Sequence, residues 1–458
     1  MACRGTRRHE VTEMTVRTAA EPMSSQEIVR LSRAHTFFSW SVQGALDPIA
    51  IDRAEGVYLY TPEGQRILDF NSQLMSVNIG HGDRRVIDAI TAQATRLQYV
   101  QPAFVTEIRA RLGAKLAEIL PGDLNKVFFT LGGAEAVENA IKLARHYTGR
   151  YKLLARYRSY HGATFGAMTL TGDYRRWANE PGLVGVVRYP DTHRWGDKEP
   201  RPAAESLQGL EDVIKYEGAH TIAAIFLETI VGTNGILIPP DGYLQGVRDL
   251  CDRYGILMVC DEVMAGFGRT GRWFAVDHWN VVPDLMTMAK GLTSSYLPLG
   301  AVAMRDHIAA ALDTKMFYGG LTYSSHPVSL AASLATIGVY EEDDLIGNAA
   351  RLGVSMRKHH EALAAKHPSV GAHRSLGLFG ILDLVRSRDP WTPITPFNGT
   401  SDEMKAIGKF FRENGLYTMI ANNSIHTNPP LCITEEQLAE GFAVIDRALE
   451  MADEAVTA

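Results

Sequence analysis

Through the middle of the chain, short apolar runs rich in β-branched and aromatic residues alternate with stretches whose apolar residues recur at helical spacing. KVFFT (126–130) reads as a strand. Gly132 and Gly133 then turn it into AEAVENAIKLARHYTG, a helix with a glycine stop. Further strands are predicted at 153–157, 222–227, 255–260, 284–288 and 299–304. Several are apolar at successive positions, as expected of strands buried on both faces. Strands alternating with helices in this way predict a mostly parallel sheet flanked by helices, an α/β fold.

The two ends read differently. Residues 51–70 predict a hairpin with a polar turn at Thr61-Pro-Glu-Gly64. Beyond residue 335 come an amphipathic helix over 345–366, a strand over 377–383 and a last helix from Thr434. We therefore expect a flexible extension at 1–24 and a large domain at 76–335. A smaller α+β domain would be assembled from both termini, 25–75 and 336–458.

Composition narrows the function classes. Lys+Arg 46 against Asp+Glu 52 gives a net charge of -6 without a long run of one sign, which argues against electrostatic binding to nucleic acid or an anionic membrane. Four scattered cysteines suit neither a disulfide framework nor a Cys-rich zinc site, and no metal is expected. No apolar run reaches the ~18 residues of a bilayer span, and the basic N-terminus has no apolar stretch behind it. A soluble, cytoplasmic protein is the expectation.

Five segments carry candidate chemistry. Glycines in Thr130-Leu-Gly-Gly-Ala-Glu-Ala136 lie between a strand and a helix, where backbone N–H groups and the helix dipole can seat a phosphate; close packing would call for the same residues. Asp261-Glu262 ends a buried strand, where an acid needs a metal, an arginine or a protonated heterocyclic nitrogen as partner, unless the pair caps the next helix. Lys290 follows another apolar strand and suits a Schiff-base nucleophile, or else reaches solvent. In Ser159-Tyr-His-Gly162, Tyr160 can stack on a flat ligand or pack in the core. The hydroxyl-rich GGLTYSSHP (319–327) is a second phosphate contact or an ordinary turn. Together they supply what pyridoxal phosphate requires: a phosphate cup, a stacking ring, a carboxylate for the pyridine nitrogen and a lysine for the aldehyde.

In this order, GGAEA, SYHG, DEV, AKG 29 residues beyond Asp261, and LTYSSHP, the chain resembles the class III aminotransferases of the fold-type I pyridoxal-phosphate enzymes. Segments such as FNSQLMSVNIGHG and VMAGFGRTGRWFAVDHW resemble the taurine and ω-amino-acid transaminase group. The resemblance implies that Lys290 forms a Schiff base with the cofactor and moves the substrate proton, and that Asp261 pairs with the pyridinium. Tyr160 and Val263 would flank the ring, Gly133 and Ala134 would bind the phosphate, and His161 and Glu228 would lie at the cofactor. Thr322 would reach the phosphate of a neighbouring subunit, which implies a homodimer with shared sites, or a tetramer. The implied reaction moves an amino group from an ω-amino acid, a taurine-like compound or a simple amine to pyruvate or 2-oxoglutarate, by a ping-pong cycle.

Two departures stand out. Thr229 follows Glu228 where relatives carry proline. Many relatives also place a carboxylate-binding arginine shortly before a Pro-Pro pair, whereas no arginine lies between Arg412 and Arg447 here. By spacing, Ala421 or Met419 takes its place, so weak keto-acid binding is expected, with Arg269 as a substitute cation. Phe38 and Trp40 are candidates for the donor pocket. The alternatives are an aminomutase or decarboxylase of the same fold, or a non-catalytic homologue; intact Lys290, Asp261 and Tyr160 speak against the last.

Overall fold

The computed structural model describes residues 22–179, 182–190, 192–194 and 197–457. Most of the expected N-terminal extension, residues 1–21, lies outside them. The chain divides into two compact units, one holding residues up to 53 together with 59–66, the other 54–58 and everything from 67 on.

In the first unit, Ser24 caps helix α1 (Ser25–His35), its Oγ accepting the Glu27 N–H at 3.3 Å. The predicted turn is present. Gly64 N–H donates to Thr61 O at 2.9 Å and Thr61 N–H to Gln65 O at 3.1 Å.

The second unit is built on a seven-stranded sheet. Its strands in chain order are β1 (Lys126–Thr130), β2 (Lys152–Arg156), β3 (Val186–Tyr189), β4 (Ile222–Glu228), β5 (Leu257–Asp261), β6 (Leu285–Met288) and β7 (Gly300–Met304). In space they run β1-β7-β6-β5-β4-β2-β3. Only β7 is antiparallel to its neighbours; β6, β5, β4, β2 and β3 are mutually parallel. Every residue of β4 to β7 is buried. Along β4, Ile225 and Leu227 enter one apolar cluster while Ala224 and Phe226 enter another, so the sheet is a wall between two cores. That is why these strands read as continuous apolar runs and were legible in the sequence. The edge strand β3 was not, because it is half-buried and carries Arg188 among its four residues.

Helix α2 (Gly133–Thr148) buries Val137, Ala140, Ile141 and Ala144 against β6 and β7 and ends at Gly149, whose φ of 67° is left-handed. Helix α3 (Leu345–Lys366) spans the predicted range. The strand expected at 377–383 is the start of β9 (Phe379–Arg388), and an unexpected strand, β8 (Val370–Leu376), precedes it; Gly377 at φ 58° turns the chain between them. β9 pairs with β11 (Ser424–Thr427), which pairs with β10 (Ile420–Ala421). Helix α4 (Glu435–Asp453) opens on a capping box in which Thr434 and Gln437 exchange hydrogen bonds. Segments distant in sequence also join: Leu416 and Tyr417 run parallel to Leu68 and Asp69. Among the described residues, no helix is long and apolar enough to cross a membrane, and Cys251, Cys260 and Cys432 are free thiols.

Candidate active site

Adjacent strands deliver a row of polar groups. Glu228 at the end of β4 lies opposite Asp261 at the end of β5, and Asp261 lies opposite Thr287 in β6. Opposed residues of neighbouring strands project to one face. Two carboxyls and a hydroxyl therefore line up at the carboxyl ends of parallel strands, where open α/β sheets bind ligands.

Asp261 is buried, with Oδ2 2.8 Å from His161 Nδ1 and Oδ1 accepting the Val263 N–H at 3.1 Å. Glu228 accepts the N–H groups of Tyr160 (2.9 Å) and Gly232 (2.8 Å), and burial pushes its carboxyl above the usual range. Glu262 turns away from the row. It accepts the Thr229 hydroxyl at 2.6 Å and the N–H groups of Ala275 and Val276, each at 3.0 Å. Thr229 thus supplies a buried donor that a proline would lack.

Burial pushes the Glu262 carboxyl up to about 7, against those three hydrogen bonds. A carboxyl with a native pKa above its unfolded value binds more protons when folded. Its contribution is fully present below about pH 4.5 and is lost as pH rises through about 7, a swing of roughly 3 kcal/mol. Glu262→Gln should remove that dependence. Unfolding midpoints of variant and parent should shift in the variant's favour between pH 5 and 8; a constant difference would refute the assignment.

Lys290 follows β6 with a left-handed φ of 48°, a strained conformation of the kind that gathers at functional sites. Its Nζ makes no hydrogen bond or ion pair among the described residues. Burial pushes the ammonium down to about 8; Asp261 and Glu228 pull it up, and Arg175 and Arg269 push it further down. Such an amine is substantially neutral near pH 8 and nucleophilic.

Glycines let the motifs close on one another. Gly162 has a φ of 137°, and a Cβ there would lie 2.6 Å from the Ala134 Cβ. A Cβ on Gly133 would meet Val263 Cγ1 at 2.9 Å. The segments around 133, 162 and 263 therefore touch without room for a side chain. The N–H groups of Gly133 and Ala134 lie in the first turn of α2, where no intrahelical acceptor exists and the dipole favours an anion. Thr322 is exposed, its carbonyl accepting the Tyr99 hydroxyl at 2.8 Å.

The sequence reading missed one cation. Arg175 holds its guanidinium over the half-buried Tyr160 ring, 3.8 Å from the centroid. Asp173 fixes it, accepting Nε at 2.8 Å and the backbone N–H at 2.9 Å, and Nη2 donates to Thr233 Oγ1 at 2.8 Å. Nη1 has no hydrogen bond among the described residues, and the side chain is 19% exposed. The available signal was the Gly-Asp pair at 172–173, a turn after a short helix (Phe165–Leu170) beside the Tyr160 loop.

These groups fit pyridoxal phosphate. An unpartnered lysine suits its aldehyde, a buried carboxylate its ring nitrogen, a tyrosine its face and a helix N-terminus its phosphate. Buried Thr287 Oγ1, Ser325 Oγ and His161 Nε2 lack hydrogen-bond partners among the described residues, as expected where a polar group completes the set.

The sequence pattern of the class-III aminotransferase family matches residues 41–449. The chain belongs to the class-III aminotransferases. This aminotransferase is 35% identical over 427 residues to an omega-aminotransferase of Caulobacter vibrioides, covering 89% of this chain and 94% of the relative. It is 33% identical over 429 residues to a putrescine–pyruvate aminotransferase of Pseudomonas aeruginosa, covering 89% and 92%. The taurine:2-oxoglutarate aminotransferase of Bifidobacterium kashiwanohense, solved with PLP and glutamate, superposes with a TM-score of 0.92 at 38% identity, covering 96% and 100%. As a class-III aminotransferase with the fold-type I architecture, the enzyme depends on pyridoxal phosphate.

Each remaining candidate of the aminotransferase has its own surroundings. Arg269 does not face a substrate: it is fully enclosed, donating through Nη1 to Leu378 O (3.0 Å) and Pro429 O (2.5 Å) and through Nη2 to Ser72 Oγ (2.9 Å) and Asn78 Oδ1 (2.8 Å). It ties three segments together, which corrects the expectation of a substitute cation. Ala421 in β10 lines a narrow cavity of about 40 Å³ together with Arg158 and Arg374, guanidiniums drawn from distant parts of the chain. Met419 is half-buried, its carbonyl accepting the His426 N–H at 3.0 Å. Phe38 and Trp40 belong to the N-terminal unit. The Phe38 backbone bonds to Gln43 at 3.1 and 2.7 Å, and Trp40 is 64% exposed.

Proposed function

We propose that the enzyme moves an amino group from an ω-amino acid, a taurine-like compound or a simple amine to pyruvate or 2-oxoglutarate, in two half-reactions centred on Lys290. The observation that carries this reading is the unpartnered Lys290 amine on the same edge as the buried Asp261–His161 pair. The activities named for the relatives support the substrate range.

Bound pyridoxal phosphate supplies an electron sink for the charge left when a proton leaves the amine-bearing carbon. In this reading Lys290 Nζ holds the cofactor in the resting enzyme and moves the proton at the donor's α-carbon. Asp261, oriented by His161 and the Val263 N–H, holds a proton on the ring nitrogen. Tyr160 and Val263 confine the ring, and the first turn of α2 holds the phosphate. Exposed Thr322 would complete the phosphate site of a second copy, so the working form is a homodimer or a tetramer.

Arg175 takes the part of the arginine absent near Pro429. A carboxylate on its open Nη1 edge would lie over Tyr160, close to the reacting groups. Arg175→Gln should raise the keto-acid KM by about 10- to 100-fold, the range for hydrogen bonds of ~1.5–3 kcal/mol to a charged group, while the amine half-reaction changes less. An unchanged keto-acid KM would rule Arg175 out. Ala421→Arg is not expected to help, because a third guanidinium would meet those of Arg158 and Arg374 in a cavity too small for it.

The reading is tested on the purified holoenzyme. An amine donor alone should change the cofactor's visible band, and pyruvate or 2-oxoglutarate should restore it. A band that returns without keto acid while the amine is isomerised or decarboxylated would favour an aminomutase or decarboxylase.

A further inference from the structure

The loop that leaves β4 bonds to a different group at each of its consecutive residues 232–235. Gly232 N–H donates to Glu228 Oε2 at 2.8 Å, and Thr233 Oγ1 accepts Arg175 Nη2 at 2.8 Å. Asn234 Nδ2 donates to Asp173 Oδ2 at 3.0 Å. Gly235 O accepts Arg374 Nη2 at 2.7 Å and Nε at 3.2 Å. The loop therefore touches a carboxyl of the polar row, the cation over Tyr160, the carboxylate that holds that cation, and a second arginine. Its base is closed by backbone bonds of 3.0 and 3.2 Å between Val231 and Leu237, and Gly235 N–H donates back to Gly232 O at 3.1 Å. A loop this short and cross-linked moves as one piece.

Arg374 reaches it from far along the chain. In β8 it lies opposite Ile381 of β9, which puts Asp383, two residues on, beside it on the same face. Asp383 Oδ2 accepts Arg374 Nη2 at 2.7 Å, and Oδ1 accepts Ser424 Oγ from β11 at 2.6 Å. Three strands of the C-terminal sheet thus fix the fork that holds Gly235. The fit is close. Gly235 has a φ of 127°, and a Cβ there would lie 2.8 Å from Arg158 Nη2 and 3.8 Å from Arg374 Nη2.

Thr233 carries this placement to Arg175. Asp173, two residues before Arg175, holds its charge, but Thr233 is the partner from another segment and takes the Nη2 edge. The Nη1 edge is then the one left to a ligand over Tyr160. A planar fork binds a carboxylate only with its open edge turned to it, so a shift of the loop that rotates the guanidinium loses the contact.

We propose that Arg374 is a positioning residue for keto-acid recognition, acting through Gly235 and Thr233 on Arg175. The proposal rests on the reading of Arg175 as the keto-acid receptor. Because the influence of Arg374 passes through Arg175, removing Arg175 should remove it.

The test follows the keto-acid half-reaction on the holoenzyme. An amine first shifts the cofactor's visible band, and pyruvate or 2-oxoglutarate is then titrated until the band returns. Arg374→Gln should raise the half-saturating keto acid about fivefold and Thr233→Val about threefold, the range for a net hydrogen bond, with Thr233→Ser within about twofold of the parent. Arg374→Lys keeps the charge beside Asp383 but not the fork, and guards against a folding loss in the glutamine variant; it should give a rise of about threefold. In an Arg175→Gln background, Arg374→Gln should add less than about twofold, because both changes act on one contact. The same factor in both backgrounds, or an unchanged half-saturating concentration in Arg374→Lys and Thr233→Val, would overturn the proposal and leave the role of Arg175 standing. No rise in Arg175→Gln alone would remove both.

Discussion

Lys290→Ala is expected to leave a folded protein that has lost at least about 10³-fold in kcat, roughly 4 kcal/mol, since both a nucleophile and an acid–base group disappear. Removing the side chain breaks no hydrogen bond or ion pair among the described residues and relieves the burial of an amine already pushed down to about 8. The thermal midpoint should therefore hold or rise while turnover collapses. Added small amines should restore part of the rate by taking over the proton transfer. Near-parental turnover without added amine would show that another group does the chemistry. A large fall in midpoint would show that Lys290 serves the fold instead.

Asp261→Asn should be the second largest loss. Asparagine keeps a similar shape and can still bond to His161 and the Val263 N–H, yet it carries no charge to hold a proton on the ring nitrogen. Removing one preorganised electrostatic contact costs about 10²–10³ in kcat, ~2.7–4 kcal/mol. The same variant should bind the cofactor more weakly, because a buried ion pair becomes a neutral contact. Steady-state kinetics at saturating cofactor separates the two effects. A variant within about tenfold of the parent, roughly 1.4 kcal/mol, would remove the proposed role.

How much of this was legible follows the physics of each segment. Strands β4 to β7 are buried on both faces, so continuous apolar runs announced them, and their carboxyl ends carried Glu228, Asp261 and Lys290 into view. Glycines at 133 and 162 were visible as residues, but their purpose is a close approach to Val263 and Ala134, which no one-dimensional pattern displays. The opposite roles of Asp261 and Glu262 follow from strand register, in which neighbours in sequence point to opposite faces. Arg269 misled because its motif lies near Asp261 in sequence, whereas its partners come from residues 72, 78, 378 and 429. Arg175 was illegible for a related reason: it lies over the Tyr160 ring and donates to Thr233, contacts that only the fold makes.

The most direct test of the central claim is to reduce the cofactor-loaded protein with borohydride and map the modified peptide by mass spectrometry. The account predicts a single pyridoxyl phosphate adduct, on the lysine of the sequence Thr287-Met-Ala-Lys-Gly291, and none in the Lys290→Ala variant. An adduct on any other lysine, or none on the parent, would contradict it.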